Sequence, residues 1–251
     1  TGKVVHNAEV WVRPRDRRRG IGTALARWAE AHSVEAVAAG YGGSPELPHV
    51  HGAGTDRANE ASMAFARGLG YEPIRFGFLM ERDLTEPIPD LPLPDGIEVR
   101  PVIEADHRRI WAADVEAFQD HWENAVREES DYLRFFTNPD LDTTLWQVAW
   151  DGDEVAGSVL NCIYADENRA LGVDAGWLDH VSVRRAWRGR GVASALIARS
   201  LAIHRDRGMA VARLGVDAEN PTGALGVYER LGFRPLRAWA TQRKPFPEVA
   251  A

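Results

Sequence analysis

The sequence is poor in several residue types, and each shortage excludes something. Among 251 residues there is one cysteine, Cys162, so no internal disulfide framework and no cysteine-built zinc site can form. Lysine is nearly absent: Lys3 and Lys244 are the only two, and every other basic side chain is arginine. No apolar run approaches the roughly 18 residues of a spanning helix, and no charged-then-apolar leader opens the chain. These absences together read as a cytoplasmic protein. Positive charge is also in deficit. With 30 Lys and Arg against 37 Asp and Glu, the net charge of −7 argues against a general nucleic-acid binder. What is present is an ordinary globular balance, 45% apolar and 27% charged, which excludes global disorder. The length suits one large domain or two small ones.

A break is visible at 84–96, Leu-Thr-Glu-Pro-Ile-Pro-Asp-Leu-Pro-Leu-Pro-Asp-Gly. Four prolines in this stretch fit neither a helix nor a central strand, so it reads as an extended linker between 1–83 and 97–251. In the second part the patterns predict strands at 97–102, 144–150, 155–164, 177–183, 211–216 and 237–243. Helices are predicted at 104–119, 132–136, 191–207 and 221–231. Pro221 stands near the start of the last helix and Gly232 just past its end, the usual asymmetry. Several strands in succession, then strand–helix–strand–helix, indicate an α+β domain on a mixed sheet.

The chain also repeats itself. Residues 10–25 align without gaps on 181–196, an offset of 171, and Leu69-Gly70-Tyr71-Glu72-Pro73 matches Leu231-Gly232-Phe233-Arg234-Pro235 at an offset of 162. Two matches in the same order indicate duplication. The extra residues of the first copy are expected within the Gly- and Pro-rich 40–54. The first copy has nothing equivalent to 97–164. A preceding segment of roughly 60–80 residues is therefore expected, or else the second part supplies the missing packing surface.

Arg188-Gly189-Arg190-Gly191-Val192-Ala193 follows a predicted strand and opens a predicted helix. Glycines let successive N–H groups converge, and a helix N-terminus adds unpaired donors and a positive dipole end. The product is an anion site suited to a pyrophosphate, with Arg188 and Arg190 able to add charge-assisted bonds. A surface turn that happens to contain Gly and Arg is the plainer reading. The lysine and hydroxyl of a nucleotide P-loop and the three-glycine dinucleotide fingerprint are both missing.

The motif Arg188-x-x-Gly191-x-Ala193 after a Val-x-Val strand resembles the pyrophosphate motif of the GNAT superfamily of N-acetyltransferases. Arg17-x-x-Gly20-x-Gly22 in the first copy does so too. The run from Asn220 through Tyr228 to Leu231-Gly232-Phe233 is similar to that family's downstream segment. The duplication, with Glu116-Ala-Phe-Gln-Asp-His-Trp122, looks like the two-domain members of mycothiol-synthase type. The resemblance implies tandem GNAT domains, each a splayed mixed β-sheet flanked by helices, the first truncated at its N-terminus. It implies acetyl-CoA as acyl donor, a primary amine of a small molecule as acceptor, direct transfer without a metal, and a monomer or homodimer with no nucleic-acid or membrane partner.

The same resemblance distributes roles. Tyr228 matches the tyrosine that protonates the departing thiolate, and a phenol near pKa 10 suits a thiol. Asn220 is expected as a helix cap, as a ligand of the cofactor's pantetheine arm or of a catalytic water, or as both cap and ligand. Backbone groups of Val181 and Val183 are expected to pair with that arm, with the Val181 N–H as oxyanion donor. Many members carry Glu eleven residues before the motif's first Arg; here that residue is Trp177, and Asp179, two residues on, becomes the expected base. His180 is expected on the opposite face as a core residue. Phe118, His121, Trp122 and Trp177, with Trp111 and Asp114, are expected on the acceptor side. In the first copy Tyr228 maps to Ala66 and Asn220 to Ala58, so that copy is expected to hold CoA or only to stabilise the pair. His49-Val-His51 reads as a loop coincidence, Arg17-Arg18-Arg19 as part of the anion motif, and Cys162 as a small core residue. A non-catalytic CoA-binding module is the alternative function, and Tyr228 is the residue such a module would not need.

Overall fold

A computed structural model describes residues 2–41, 43, 46–123, 127–138, 141–220 and 222–248. The described chain forms two compact units. The first takes in Thr1–Phe78, Asp217–Glu219 and Arg237–Ala251, the second Leu79–Val216 and Asn220–Leu236.

In the first unit β1 (Val4–Asn7) pairs in parallel with β2 (His49–Asp56), joined by α1 (Ile21–Ala38). Then come α2 (Glu60–Gly68) and β3 (Glu72–Asp83). The Asn59 side chain caps α2 by accepting from the Ser62 N–H at 3.0 Å, as short polar residues do at that position.

The second unit opens with β4 (Ile97–Val99), shorter than the pattern suggested, and α3 (His107–Ala117), which has a 3₁₀ turn at either end. Buried residues of α3 fall at Ile110, Ala113, Asp114 and Ala117. That is one helical stripe with a carboxylate in it. α4 (Glu129–Phe136) precedes the hairpin of β5 (Gln147–Asp151) and β6 (Glu154–Cys162), turned at Gly152. A short helix absent from the sequence prediction, α5 (Ala165–Leu171), leads to β7 (Ala175–Val183), α6 (Val192–Asp206) and β8 (Val211–Asp217). The last elements are α7 (Ala224–Arg230) and β9 (Arg234–Pro245). The helix predicted from Pro221 begins at Ala224, and Pro221 lies outside the described residues.

Within the second unit the strand order is β3–β8–β7–β6–β5–β4; β4–β5, β5–β6 and β6–β7 pair antiparallel and β7–β8 pair in parallel. α3 covers one face, over Trp146, Val148, Trp150, Val155 and Leu160. α6 packs against β5, β6 and β7, and its Leu196, Ile197 and Leu201 are fully buried; each such side chain contributes about 1.5–3 kcal/mol. In the first unit β2 pairs with the latter part of β9 through Asp56↔Trp239 to Val50↔Pro245.

The repeat is visible in local conformation. The 3₁₀ turns Pro14–Asp16 and Arg185–Trp187 lie at the 171 offset, as do the starts of α1 and α6, each capped by a left-handed glycine, Gly20 (φ 80°) and Gly191 (φ 89°). α2 and β3 end 162 residues before α7 and β9. Not all of the extra length sits in 40–54: α1 has 18 residues against 15 in α6.

Candidate active site

β7 and β8 are the elements that open the site. They pair in parallel at Ala175↔Val211, Gly176↔Ala212 and Trp177↔Arg213, and the register stops there. β6 stays paired with β7 as far as Gly157↔Val183. The edge of β7 after Trp177 that faces away from β6 thus has no ladder partner from β8, and its backbone can receive an extended chain. Val181 and Val183 lie on this stretch. The Val183 carbonyl is already occupied, accepting from Arg188 Nε at 2.9 Å.

The loop that follows fits a diphosphate. Gly189 and Gly191 have φ of 75° and 89°, and a Cβ at either would meet no atom within 4 Å. A backbone with alternating handedness turns its N–H groups to one side. α6 starts at Val192 without a side-chain cap, so its first-turn amides have no intrahelical acceptor. The two arginines divide. Arg190 is exposed with no ion pair among the described residues. The Arg188 guanidinium is engaged inside the protein, with Asp120 Oδ2 at 2.6 Å and the Ala117 carbonyl at 3.1 Å. Arg185 joins Arg188 on Asp120 and, with it, holds that carboxyl far below the usual carboxylate range. Arg184 bonds Glu116 at 2.8 Å. The run 116–122 and the cradle's leading turn are therefore tied together, and Arg188 acts here as a brace.

The first copy repeats the brace. Arg17 Nε donates to the Val12 carbonyl at 3.1 Å. Arg18 (φ 62°) takes the left-handed conformation that Gly189 takes in the second copy, a strained choice for a residue with a side chain. Gly22 lies beneath Phe65.

Tyr228 sits on α7, 6% exposed and edge-to-face with Phe233 at 6.0 Å. Burial pushes its phenol up, which keeps it in the protonated form. Ala66, its counterpart in the first copy, is 4% exposed: the same buried slot without a hydroxyl. Asn220 does not cap α7. Its Oδ1 accepts from the N–H and hydroxyl of Thr222 at 2.8 and 2.6 Å, and the cap position belongs to Gly223.

β7 departs from strict alternation. Leu160 faces His180 and Asn161 faces Leu178, so Asp179 is an additional residue, a β-bulge. Leu178 goes with Asn161, which bonds Ser200 of α6 at 2.9 Å. His180 goes with Leu160 under α3, and Trp177 with Cys162 on that same face. The expectation of a core His180 opposite Trp177 is thereby corrected: the bulge restores both to one side. His180 Nδ1 lies 2.9 Å from Asp114 Oδ2, against Phe118 (5.3 Å between centroids) and Phe135 (6.0 Å). His121 packs on Phe118 at 4.3 Å. Trp122 is 36% exposed.

Asp179 is exposed and accepts a hydrogen bond from the Tyr164 hydroxyl. Cys162 is not an isolated core residue either. It neighbours Asp179 and Tyr164, and burial together with the Asp179 charge pushes its thiol up to about 12. The Asp114–His180 pair is the part that sequence reasoning missed. The available signal was the carboxylate in the apolar stripe of α3. His49 and His51 lie in β2, not in a loop, and His49 bonds His6 at 2.8 Å; among the described residues no group of three or more His, Cys, Asp or Glu forms a metal site.

The acetyltransferase (GNAT) family profile matches residues 107–233, the span that carries the free β7 edge, the Gly189–Gly191 loop and Tyr228. The chain belongs to this family. As a GNAT acetyltransferase it is 34% identical, over 90% of its length and 68% of the relative's, to the mycothiol acetyltransferase of Salinispora tropica. A GCN5-related N-acetyltransferase from Sphaerobacter thermophilus superposes with a TM-score of 0.80 at 26% identity, covering 99% of this chain and 75% of that one. A tandem GNAT protein from the clavulanic acid biosynthesis pathway shares the fold, with a TM-score of 0.71 at 18% identity over 99% of this chain and 77% of its own. No helix among the described residues of this GNAT enzyme is long and apolar enough to cross a membrane.

Proposed function

We propose that this acetyltransferase uses acetyl-CoA to acetylate the primary amine of a small molecule by direct transfer. Residues 97–251 would be the catalytic domain of a tandem pair and 1–83 the back half of a degenerate partner. The observation that carries the reading is the left-handed Gly189–Gly191 loop, opening onto unpaired α6 amides beside the free edge of β7.

Acetyl-CoA, when bound, supplies an acetyl thioester and leaves as a thiol. The chain's own groups do the rest. Amides of 189–193 and the Arg190 charge hold the diphosphate. The β7 edge at Val181 and Val183 aligns the pantetheine arm, the Val181 N–H serves as oxyanion donor, and Asn220 orders the turn into α7. Tyr228 delivers a proton to sulfur. Asp179, at the bulge, presents an anion to the incoming ammonium. The first-copy residues Arg17, Gly20 and Gly22 form a second cradle whose buried slot holds Ala66, so it binds CoA or stabilises the molecule without transferring acetyl.

The relatives named mycothiol acetyltransferase favour one acceptor within this class, a cysteinyl-glucosaminyl-inositol amine. That reading expects transfer to this amine and none to simple polyamines or aminoglycosides. A purely CoA-binding module is disfavoured by Tyr228. The test is thiol release from acetyl-CoA across an amine panel, for the wild type and Y228F. Turnover should fall by about 10²–10⁴-fold in the variant with acetyl-CoA affinity retained, and unchanged turnover would remove Tyr228 from its role.

A further inference from the structure

We infer that His180, oriented by the buried carboxylate of Asp114, is the general base that takes the proton from the acceptor's ammonium. This rests on the acetyl-transfer reading above.

The geometry is that of a base held by a third group. Asp114 is 1% exposed, within the apolar stripe of α3, where a carboxylate costs stability unless it is paired and hydrogen-bonded. Its Oδ2 meets His180 Nδ1 at 2.9 Å and Arg127 Nη1 at 3.3 Å, and its Oδ1 has no partner. With Nδ1 committed to Asp114, the lone pair belongs on Nε2, which has no hydrogen-bond partner among the described residues. The His180 side chain is 25% exposed, against 1% for Asp114. Phe118 and Phe135 flank the ring. Only the bulge at Asp179 brings His180 to this face, one residue before Val181.

Asp179 is the weaker acceptor. Its carboxylate already takes the Tyr164 hydroxyl, and carboxylates in general lie further below an ammonium in basicity than imidazoles do. The proton balance closes. The ammonium gives one proton to Nε2, and the freed lone pair makes the C–N bond as the C–S bond breaks. Tyr228 gives its proton to the departing sulfur, the second amine proton returns to the Tyr228 phenolate, and the imidazolium returns its proton to water. His180 is the catalytic residue and Asp114 a positioning residue.

The charged groups around His180 are Asp114 from α3, which bonds it, and Arg127, which bonds that same carboxylate, with Asp179 its chain neighbour on β7 and His121 one ring away behind Phe118. The experiment compares wild type, H180Q and D114N for kcat/KM against pH with the best amine of the panel, with and without added imidazole. Acetyl-CoA affinity is read by calorimetry. The expected result is a wild-type acidic limb that disappears in H180Q, a fall of about 10²–10⁴-fold in H180Q and a smaller one in D114N. Partial rescue of H180Q by imidazole and unchanged acetyl-CoA affinity complete it. Wild-type turnover and an intact acidic limb in H180Q would overturn the inference and leave the acetyl-transfer reading standing. Binding of acetyl-CoA without turnover of any amine by the wild type would overturn both.

Discussion

His204 illustrates how much one side chain can decide. It is fully buried on α6, packed so closely on Gly176 of β7 that a Cβ there would stand 2.2 Å from its Nδ1. Burial lowers its pKa to about 4. The unfolded chain protonates this ring near 6.5 and the folded chain only near 4, so between those values protons favour the unfolded state. Stability contributed by the neutral ring is complete above about pH 7 and is lost as pH falls through the window, by about 3 kcal/mol at most. His6 and His51, also lowered by burial, act in the same direction. Thermal melts from pH 7 to pH 4 should therefore show a falling Tm whose slope is reduced, not abolished, in H204L. An unchanged slope would assign the acid sensitivity to other groups. G176A should cost about 1–3 kcal/mol through overpacking, read as a shift in denaturation midpoint.

At the scale of elements, the account turns on one loop and one bulge. Gly191 holds φ 89° at the start of α6, a conformation open to glycine and strained for other residues. G191V should destabilise by about 1 kcal/mol or more and weaken acetyl-CoA binding at least tenfold, checked by melting and titration on the same sample. The loop was legible because it depends on local chain chemistry: glycines after a Val-x-Val strand, then a helical stripe. The bulge was not. Period-two alternation assigns faces correctly along an unbroken strand, but whether Leu160 and Asn161 together oppose three residues of β7 is set by packing against α3 and α6. The same limit applies to Arg188. Its motif position was plain in the sequence, but its partners, Asp120 and the Ala117 carbonyl, lie some seventy positions earlier. Asx geometry at Asn220 and the shift of α7 to Ala224 are smaller misses with the same origin.

For the whole molecule, duplication was the most readable feature, because two offset matches survive in the residues that shape turns and helix starts. Less readable was how the chain is apportioned. The last strand contributes its residues from Arg237 onward to the first unit, where Ala240 and Gln242 are buried and Lys244 bonds Glu30 at 2.7 Å. Truncation after Leu236 should leave the first unit open to limited proteolysis, since Gln242 also anchors Thr55 at 2.6 Å. Equal protease resistance with and without the strand would contradict this. The central claim is that the loop after Trp187 grips a CoA thioester and delivers it to Tyr228. Its most direct test is calorimetric titration of acetyl-CoA into the intact protein. The account predicts saturable 1:1 or 2:1 binding, weakened in G191V and kept in Y228F. Absence of binding by the wild type to any CoA thioester would contradict it.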